Sequence, residues 1–97
     1  MITINLSSKE QFELIEFVCP KEGATPEMLA DVKVGEFKHG KGVVISGKGP
    51  VWLFGCMAHQ CHHAKWVASY DPRLEGAVVF ESHDPAVKVG TIIPCTL

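Results

Sequence analysis

The chain has 97 residues, 46% hydrophobic and 21% charged, with a net charge of −2. These values predict one globular domain over residues 1–97 and argue against a general nucleic-acid binder, which would be basic overall. The longest apolar run, residues 51–58, is far shorter than the roughly 20 residues of a membrane span. The start lacks the pattern of a signal peptide, and the four cysteines form no CxxC pair, so we expect a cytoplasmic protein with reduced thiols.

Two strands and a short helix are predicted in the first third of the chain. Residues 1–6 and 11–19 alternate between apolar and polar side chains, which is typical of half-buried strands, and the turn between them predicts a hairpin. A helix over residues 26–33 is indicated by Thr25 as N-cap, followed by Pro26 and Glu27. Residues 37–41 are predicted to be a loop, and nothing in this third is an obvious reactive group.

A strand, a helix and a second strand are predicted in the middle of the chain. Residues 42–46 form a short apolar run, as expected of a strand buried on both faces. The helix spans residues 50–63 and contains Gly55, which costs about 1 kcal/mol in helix propensity and therefore predicts close packing there. A strand over residues 65–70 follows. Because this order makes a βαβ unit, the two strands should be parallel with a right-handed crossover.

Turns and strands are predicted in the last third. Residues 71–76 have the composition of a turn, residues 77–81 should return as an antiparallel strand, and residues 87–93 form an edge strand or an extended tail. The predicted fold class is therefore α/β: a single small domain with a mixed sheet, a βαβ unit, one to two helices and a C-terminal hairpin.

An anion site is indicated by Ser46, Gly47, Lys48 and Gly49, which lie between the buried strand and the start of the helix. Backbone N–H groups at a helix N-terminus attract anions, glycine allows close approach, and Lys48 adds a full charge. The spacing is not that of a Walker loop. A solvated turn with a surface lysine is the alternative.

Histidines crowd the end of the predicted helix. His59 and His63 are four residues apart, so they should share one helix face and be able to bind one metal ion, with Cys56 on nearly the same face and His62 to the side. The alternatives are an exposed or structural pair and a closed zinc site of Cys56, His59, His63 and one more ligand.

Asp71 and Arg73 follow the second strand of the βαβ unit. Since parallel strands end at the same sheet edge, Asp71 should lie beside Ser46, and Arg73, the sole arginine, could bind a phosphate through its two-pronged guanidinium. Capping of turn N–H groups by Asp71 is the alternative. His83 follows the antiparallel strand, so it should lie at the opposite edge, roughly 15–20 Å away, and join the site only if a second subunit supplies it.

The run KGVVISGKGPVWL, then Ala58-His59, His63, VASYDPRLEGAVVFESH and VKVG, resembles the CRISPR-associated family written Csx-three, the ring nucleases of type III systems. The resemblance covers residues 41–93 strongly and the front third only by length and pattern. It implies binding and linearisation of cyclic tetra-adenylate with manganese, and for some members action on RNA 3′ ends. It also implies homodimers that pair around the ring into tetramers or filaments, with sites shared between dimers.

The resemblance also assigns roles to residues of this chain. It implies catalytic or metal-linked roles for His63, Asp71 and His83, with His59 as a further candidate. His62 stands where a small residue is expected. Contacts to the phosphates of the ring would come from Ser46, Gly47, Lys48, Gly49 and Arg73.

Metal-assisted attack on a phosphodiester is the reaction that imidazole, carboxylate and guanidinium groups support, and Mn²⁺ or another divalent cation takes mixed imidazole and carboxylate ligands. These residues therefore predict a metal-dependent phosphodiesterase, and the resemblance implies that its substrate is cyclic tetra-adenylate. Three alternatives remain open: a module that senses or sequesters the ring without cutting it, a manganese-dependent exoribonuclease that trims adenosine 3′ ends, and a structural zinc protein.

Overall fold

The computed structural model describes residues 1–36 and 40–97, so the predicted loop at 37–41 lies largely outside the described residues. The described residues form one six-stranded sheet in which strand order follows chain order. The helix α1 spans Val51–Gln60, and 3-10 turns span Pro26–Asp31 and Pro72–Leu74. The predicted α/β class is confirmed. The strands are Thr3–Ser8 (β1), Phe12–Val18 (β2), Gly42–Ser46 (β3), Trp66–Asp71 (β4), Gly76–Ser82 (β5) and Ile92–Pro94 (β6).

Strand directions make the sheet mixed, as predicted. β1 and β2 form the antiparallel hairpin, β3 and β4 are the parallel strands of the βαβ unit, and β5 returns antiparallel beside β4. β6 completes the C-terminal pair of antiparallel strands. The parallel pairing of β2 with β3 was not predicted. It requires the chain between these strands to cross from one end of the sheet to the other, because parallel neighbours cannot be joined by a tight turn.

Several element boundaries differ from the prediction; the first strand, for example, spans Thr3–Ser8 rather than residues 1–6. The first helix is a 3-10 turn over Pro26–Asp31, and the Thr25 side chain makes no capping hydrogen bond to its backbone. The main helix ends at Gln60 rather than at residue 63, because Cys61 is buried and its N–H bonds back to Ala58 as the chain turns toward β4. The last strand starts at Ile92 rather than at residue 87, since residues 87–91 form turns around Gly90, whose φ is +95°.

The helix α1 builds a hydrophobic core on one face of the sheet. Its buried side chains Leu53 and Met57, with Cys61 just beyond its end, form a core cluster with Ile15, Val43, Ile45 and Val67 from the sheet. A second cluster on the other face includes Trp66, whose indole lies over Gly42 so closely that a Cβ there would be 1.8 Å from it. The sheet is therefore buried on both faces around β3, which explains its continuous apolar run.

β5 remains partly open on the helix side of the sheet. Phe80 of β5 is 42% exposed and Ile92 of β6 is 47% exposed.

The cysteines at 19, 56, 61 and 95 are all free thiols, as predicted. Within the described ranges, no helix has the length and apolar character needed to cross a membrane.

Candidate functional site

The carboxyl ends of β3 and β4 place two candidate groups at one edge of the sheet, as predicted. β3 ends at Ser46 and its parallel neighbour β4 ends at Asp71, with Ile45 and Ser69 as their last paired residues. The exposed loop Gly47-Lys48-Gly49 leaves this edge and leads into α1. Open α/β sheets place ligands at this edge, outside the carboxyl ends of parallel strands. We call it the carboxyl edge.

The loop Gly47-Lys48-Gly49 is pressed onto the ring of Phe17. A Cβ on Gly47 would lie 2.6 Å from a ring carbon and 2.7 Å from the carbonyl oxygen of Phe17, and a Cβ on Gly49 would lie 2.8 Å from the ring. Phe17 is 3% exposed and contacts Phe54 of α1 edge-to-face at 5.2 Å between ring centroids. The two glycines are therefore required by packing, which fixes the backbone of the loop in front of α1.

The N-terminus of α1 is open to an external acceptor. Pro50 occupies the N-cap position with φ −69° and ψ 155° and makes no side-chain capping hydrogen bond. The first N–H groups of a helix lack intrahelical acceptors, and the helix dipole makes this end positive. With the exposed Lys48 beside it, this end of the helix has the charge and the donors that a phosphate requires.

Asp71 and Arg73 bind each other at the same edge. The guanidinium donates from Nε to Asp71 Oδ1 at 3.2 Å and from Nη2 to Oδ2 at 3.0 Å, and the backbone N–H of Arg73 donates to Oδ1 at 3.0 Å. Asp71 therefore accepts a hydrogen bond from a turn N–H group, which is the alternative that was named to a catalytic role. The guanidinium of Arg73 is paired with Asp71 and is not free to bind a phosphate in this arrangement. The hydrogen bond from Arg73 lowers the pKa of Asp71, and the same bond raises the pKa of Arg73.

The histidine cluster is centred on His62. Since α1 ends at Gln60, the prediction that His59 and His63 share one helix face is wrong. Instead, the ring of His62 lies 3.9 Å from that of His63 and 5.8 Å from that of His59, measured between centroids. His62 Nδ1 also lies 2.9 Å from the carbonyl oxygen of His59. All three imidazoles are exposed.

The histidines lie at the sheet edge opposite to Asp71. His63 precedes the first residue of β4, and Asp71 is the last residue of that strand, so roughly 15–20 Å of extended chain separates them. His83 also lies at this opposite edge, as predicted, where its N–H donates to the carbonyl oxygen of Lys65 at 2.8 Å and its Nε2 lies 3.2 Å from Glu81 Oε2. A single chain therefore keeps His63 and His83 apart from Asp71.

The residues predicted to bind metal have side chains that a divalent cation accepts as ligands, but a single chain does not bring them together. Imidazole and carboxylate groups are the ligands that Mn²⁺ or a similar ion accepts. Across residues 1–36 and 40–97, no three His, Cys, Asp or Glu side chains are close enough together to hold a metal ion. The zinc cluster of Cys56, His59 and His63 thus gains no support from the described residues, where the thiol of Cys56 accepts from Gln60 at 3.7 Å.

Comparison with protein-family models identifies the family of the chain. The model of the family described as CRISPR-associated protein (Cas_csx3) matches residues 18–94. The chain belongs to this family. The match includes the loop 47–49, all three clustered histidines, the Asp71–Arg73 pair and His83, so every candidate residue lies in the part of the chain that the Cas_csx3 model describes. The family predicted by the resemblance is confirmed.

A curated relative of this Cas_csx3 protein comes from Aquifex aeolicus (strain VF5) and is described only as an uncharacterized protein. It is 51% identical over 51 residues, which are 53% of this chain and 46% of the relative. The chain thus spans about half the length of the curated relative it matches.

Two residues with structural contacts around α1 were not singled out from the sequence. Phe17 supports the loop 47–49, yet in the sequence it is one apolar residue of an alternating strand. Gln60 donates to Val32 O at 2.8 Å and accepts from Val34 N at 3.0 Å, which holds the segment after the first 3-10 turn against α1. Neither contact has a local signal, because each joins residues that are far apart in the chain.

Proposed function

We propose that this Cas_csx3 protein is a metal-dependent phosphodiesterase, a ring nuclease that binds cyclic tetra-adenylate and opens it to a linear product in type III CRISPR antiviral defence. The observation that carries the proposal is the carboxyl edge. There the packed loop 47–49, the open N-terminus of α1 and the Asp71–Arg73 pair lie at neighbouring strand ends. These groups are suited to phosphates, and CRISPR-associated family membership supports the choice of ligand.

The chain's own groups have distinct roles in this proposal. A phosphate binds at the start of α1, where it contacts Ser46, Lys48 and the N–H groups of Gly47 and Gly49. The guanidinium of Arg73 exchanges Asp71 for a phosphate oxygen, since both are two-oxygen acceptors of similar geometry. A ring with four equivalent phosphates matches a symmetric assembly of identical small subunits, each contributing one such loop.

Manganese, or another divalent cation, would be held by His63, His83 and Asp71, with His59 as a further ligand or proton-transfer group. Such an ion, when bound, polarises a phosphoryl oxygen and activates water. Because His63 and His83 lie at one sheet edge and Asp71 at the other, the ligands can meet only between chains. We therefore propose a homodimer that assembles into a tetramer or filament around the ring, with each site shared.

Direct assay of the ring tests the activity. The protein is incubated with cyclic tetra-adenylate and MnCl₂, and the products are separated by chromatography. We expect linear adenylate to form with manganese and the ring to survive with EDTA. If the ring stays intact after stoichiometric binding under every metal condition, the enzyme proposal is wrong.

A mixture of two inactive variants tests the shared site. His83→Ala and Asp71→Ala chains each lack one half of every site, but mixed assemblies contain some sites built from two intact halves. We expect the mixture to regain activity that neither variant has alone. A mixture no more active than the better single variant would rule out sharing between chains.

A sensor that holds the ring without cutting it is the second candidate. The separation of the histidines from Asp71 and the engagement of Asp71 by Arg73 favour this candidate for an isolated chain. The incubation described above distinguishes the two, because a sensor returns intact ring. Rates on linear oligo-adenylate, compared with rates on the ring, test the remaining alternative of trimming at RNA 3′ ends.

A further inference from the structure

Gly55 stands in the middle of α1 without a packing reason inside the described chain. Glycine in a helix interior costs about 1 kcal/mol relative to alanine. The sequence predicts close packing to explain it, but a Cβ built at this position meets no atom within 4 Å. The prediction of close packing at Gly55 is therefore wrong within the described residues. The exposed backbone at Gly55 therefore leaves room for a group from outside the described chain.

An apolar hollow lies beside Gly55, between α1 and the open side of β4 and β5. Its volume is about 430 Å³, within the roughly 300–1,000 Å³ of small-molecule sites. Its walls carry two aromatic rings and one hydroxyl but no charged group. The lining residues are Gly49, Val51, Phe54, Gly55, Ala58, Ser69 and Phe80.

A β-bulge aims one of these aromatic side chains. Val67 pairs with Glu81 and Ala68 with Val79, which leaves Phe80 of β5 as the extra residue without a direct partner. Bulges re-aim side chains and are frequent beside functional sites. Phe80 keeps 42% of its surface exposed although it is a large apolar residue. Its ring therefore lines the hollow and is accessible from solvent.

The hollow and the loop 47–49 share Gly49. A ligand whose phosphate rests on the loop 47–49 therefore has the hollow next to that phosphate. The hollow is suited to a flat group with apolar faces and a polar edge, because aromatic rings stack on any base and the Ser69 hydroxyl can both donate and accept a hydrogen bond. A purine base attached through ribose to the phosphate has these properties.

We propose that this hollow is a subsite for the adenine base of an adenylate whose phosphate lies on the loop 47–49. The base stacks on Phe80 and approaches the backbone of α1 at Gly55, and its edge bonds to Ser69. This inference rests on the proposed function, since it assumes that the loop holds a phosphate, and it adds the means by which the site recognises the base.

Two probes separate the base from the phosphate. Adenosine 5′-monophosphate and ribose 5-phosphate carry the same phosphate and sugar, so the ratio of their dissociation constants measures the base alone. Chemical-shift titration of ¹⁵N-labelled protein measures both constants, even in the millimolar range. For the wild-type chain we expect adenosine monophosphate to bind about tenfold more tightly, as one base-aromatic stack provides.

Gly55→Leu tests the location. The Cβ of a leucine there meets no described atom within 4 Å, the rest of the side chain extends the helix surface toward the hollow, and leucine favours the helix over glycine. Retained binding of ribose 5-phosphate shows that the variant is folded. We expect the two probes to bind equally to this variant, with ribose 5-phosphate unaffected. Gly55→Ala should give an intermediate ratio. Ala30→Leu, which adds the same side chain at an exposed position in the first 3-10 turn, should keep the wild-type ratio.

Each other outcome has a definite meaning. A tenfold preference that survives in Gly55→Leu overturns the subsite, as does a wild-type chain that binds cyclic tetra-adenylate but shows no preference between the two probes. In both cases the proposed function stands. If Gly55→Leu changes the oligomeric state of the ligand-free protein in light scattering, a second copy covers the hollow and the subsite is wrong. A wild-type chain that binds neither the ring nor adenosine monophosphate overturns both proposals.

Discussion

Replacing Gly47 by alanine should destabilise the protein by displacing the loop 47–49. The added methyl would lie 2.6 Å from a ring carbon of Phe17 and 2.7 Å from its carbonyl oxygen. The ring cannot yield easily, because it is buried and packed against Phe54. The carbonyl belongs to β2, whose backbone is fixed by its neighbours in the sheet. The loop itself must therefore lift away from the strand.

The size of the effect follows from comparable overpacking. Inserting a methyl group into a well-packed site typically costs about 1–3 kcal/mol. In a domain of this length, 1 kcal/mol shifts the melting temperature by about 4–8 °C, so Gly47→Ala should melt roughly 5–20 °C lower. Urea denaturation gives the change in the free energy of unfolding, and a thermal scan gives the melting temperature.

Gly55→Ala is the matched control, because it makes the same chemical change at a glycine with no atom within 4 Å of the new methyl. It should raise the free energy of unfolding by about 1 kcal/mol through helix propensity. Equal effects of the two substitutions, or a Gly47→Ala chain as stable as the wild type, would refute the packing of the loop on Phe17. A loop that is lifted should also bind cyclic tetra-adenylate more weakly than the loss of stability alone explains.

The remaining predictions concern three other contacts. Arg73→Met should raise the pKa of Asp71 toward its usual value, because the guanidinium that lowers it is lost; an NMR carboxyl titration measures this, and an unchanged pKa would contradict the ion pair. Burial raises the pKa of Cys61 from 9.0 to about 12, so the native state favours the neutral thiol. The resulting stabilisation is present below pH 9 and should be lost as the pH rises toward 12, and Cys61→Ala should lose less stability over that range. Gln60→Ala leaves the N–H of Val34 without its acceptor and should cost about 1–3 kcal/mol in urea denaturation, whereas an effect near zero would show that water replaces the amide.

Local patterns were sufficient to predict the part of the fold that forms the carboxyl edge. The apolar run at 42–46 and the order strand, helix, strand predict a parallel pair, and a parallel pair brings Ser46 and Asp71 to one edge without any further information. Glycine spacing and Pro50 marked the loop and the start of α1. These features depend on neighbours in the chain, which is why one sequence was enough.

Features that depend on distant neighbours were not predicted correctly or were missed. The parallel pairing of β2 with β3 joins residues about 30 positions apart, such as Phe12 and Gly42, and no local pattern encodes it. Pro50 at the start, the length of the segment and its lack of β-alternation predict a helix to residue 63, whereas the turn toward β4 ends it at Gln60. That shorter helix removes the face shared by His59 and His63. The role assigned to each histidine remains a prediction.

The Asp71–Arg73 pair has a consequence for the sequence of events at the carboxyl edge. At a distance the two opposite charges cancel, so Lys48 and the positive end of α1 provide the attraction felt by an approaching anion. A phosphate that binds the guanidinium of Arg73 would have to displace the carboxylate of Asp71. The released carboxylate would then be available to bind a cation. Binding of the anion and exposure of a cation ligand would thus be one exchange reaction. Until the anion binds, the charges of Asp71 and Arg73 neutralise each other.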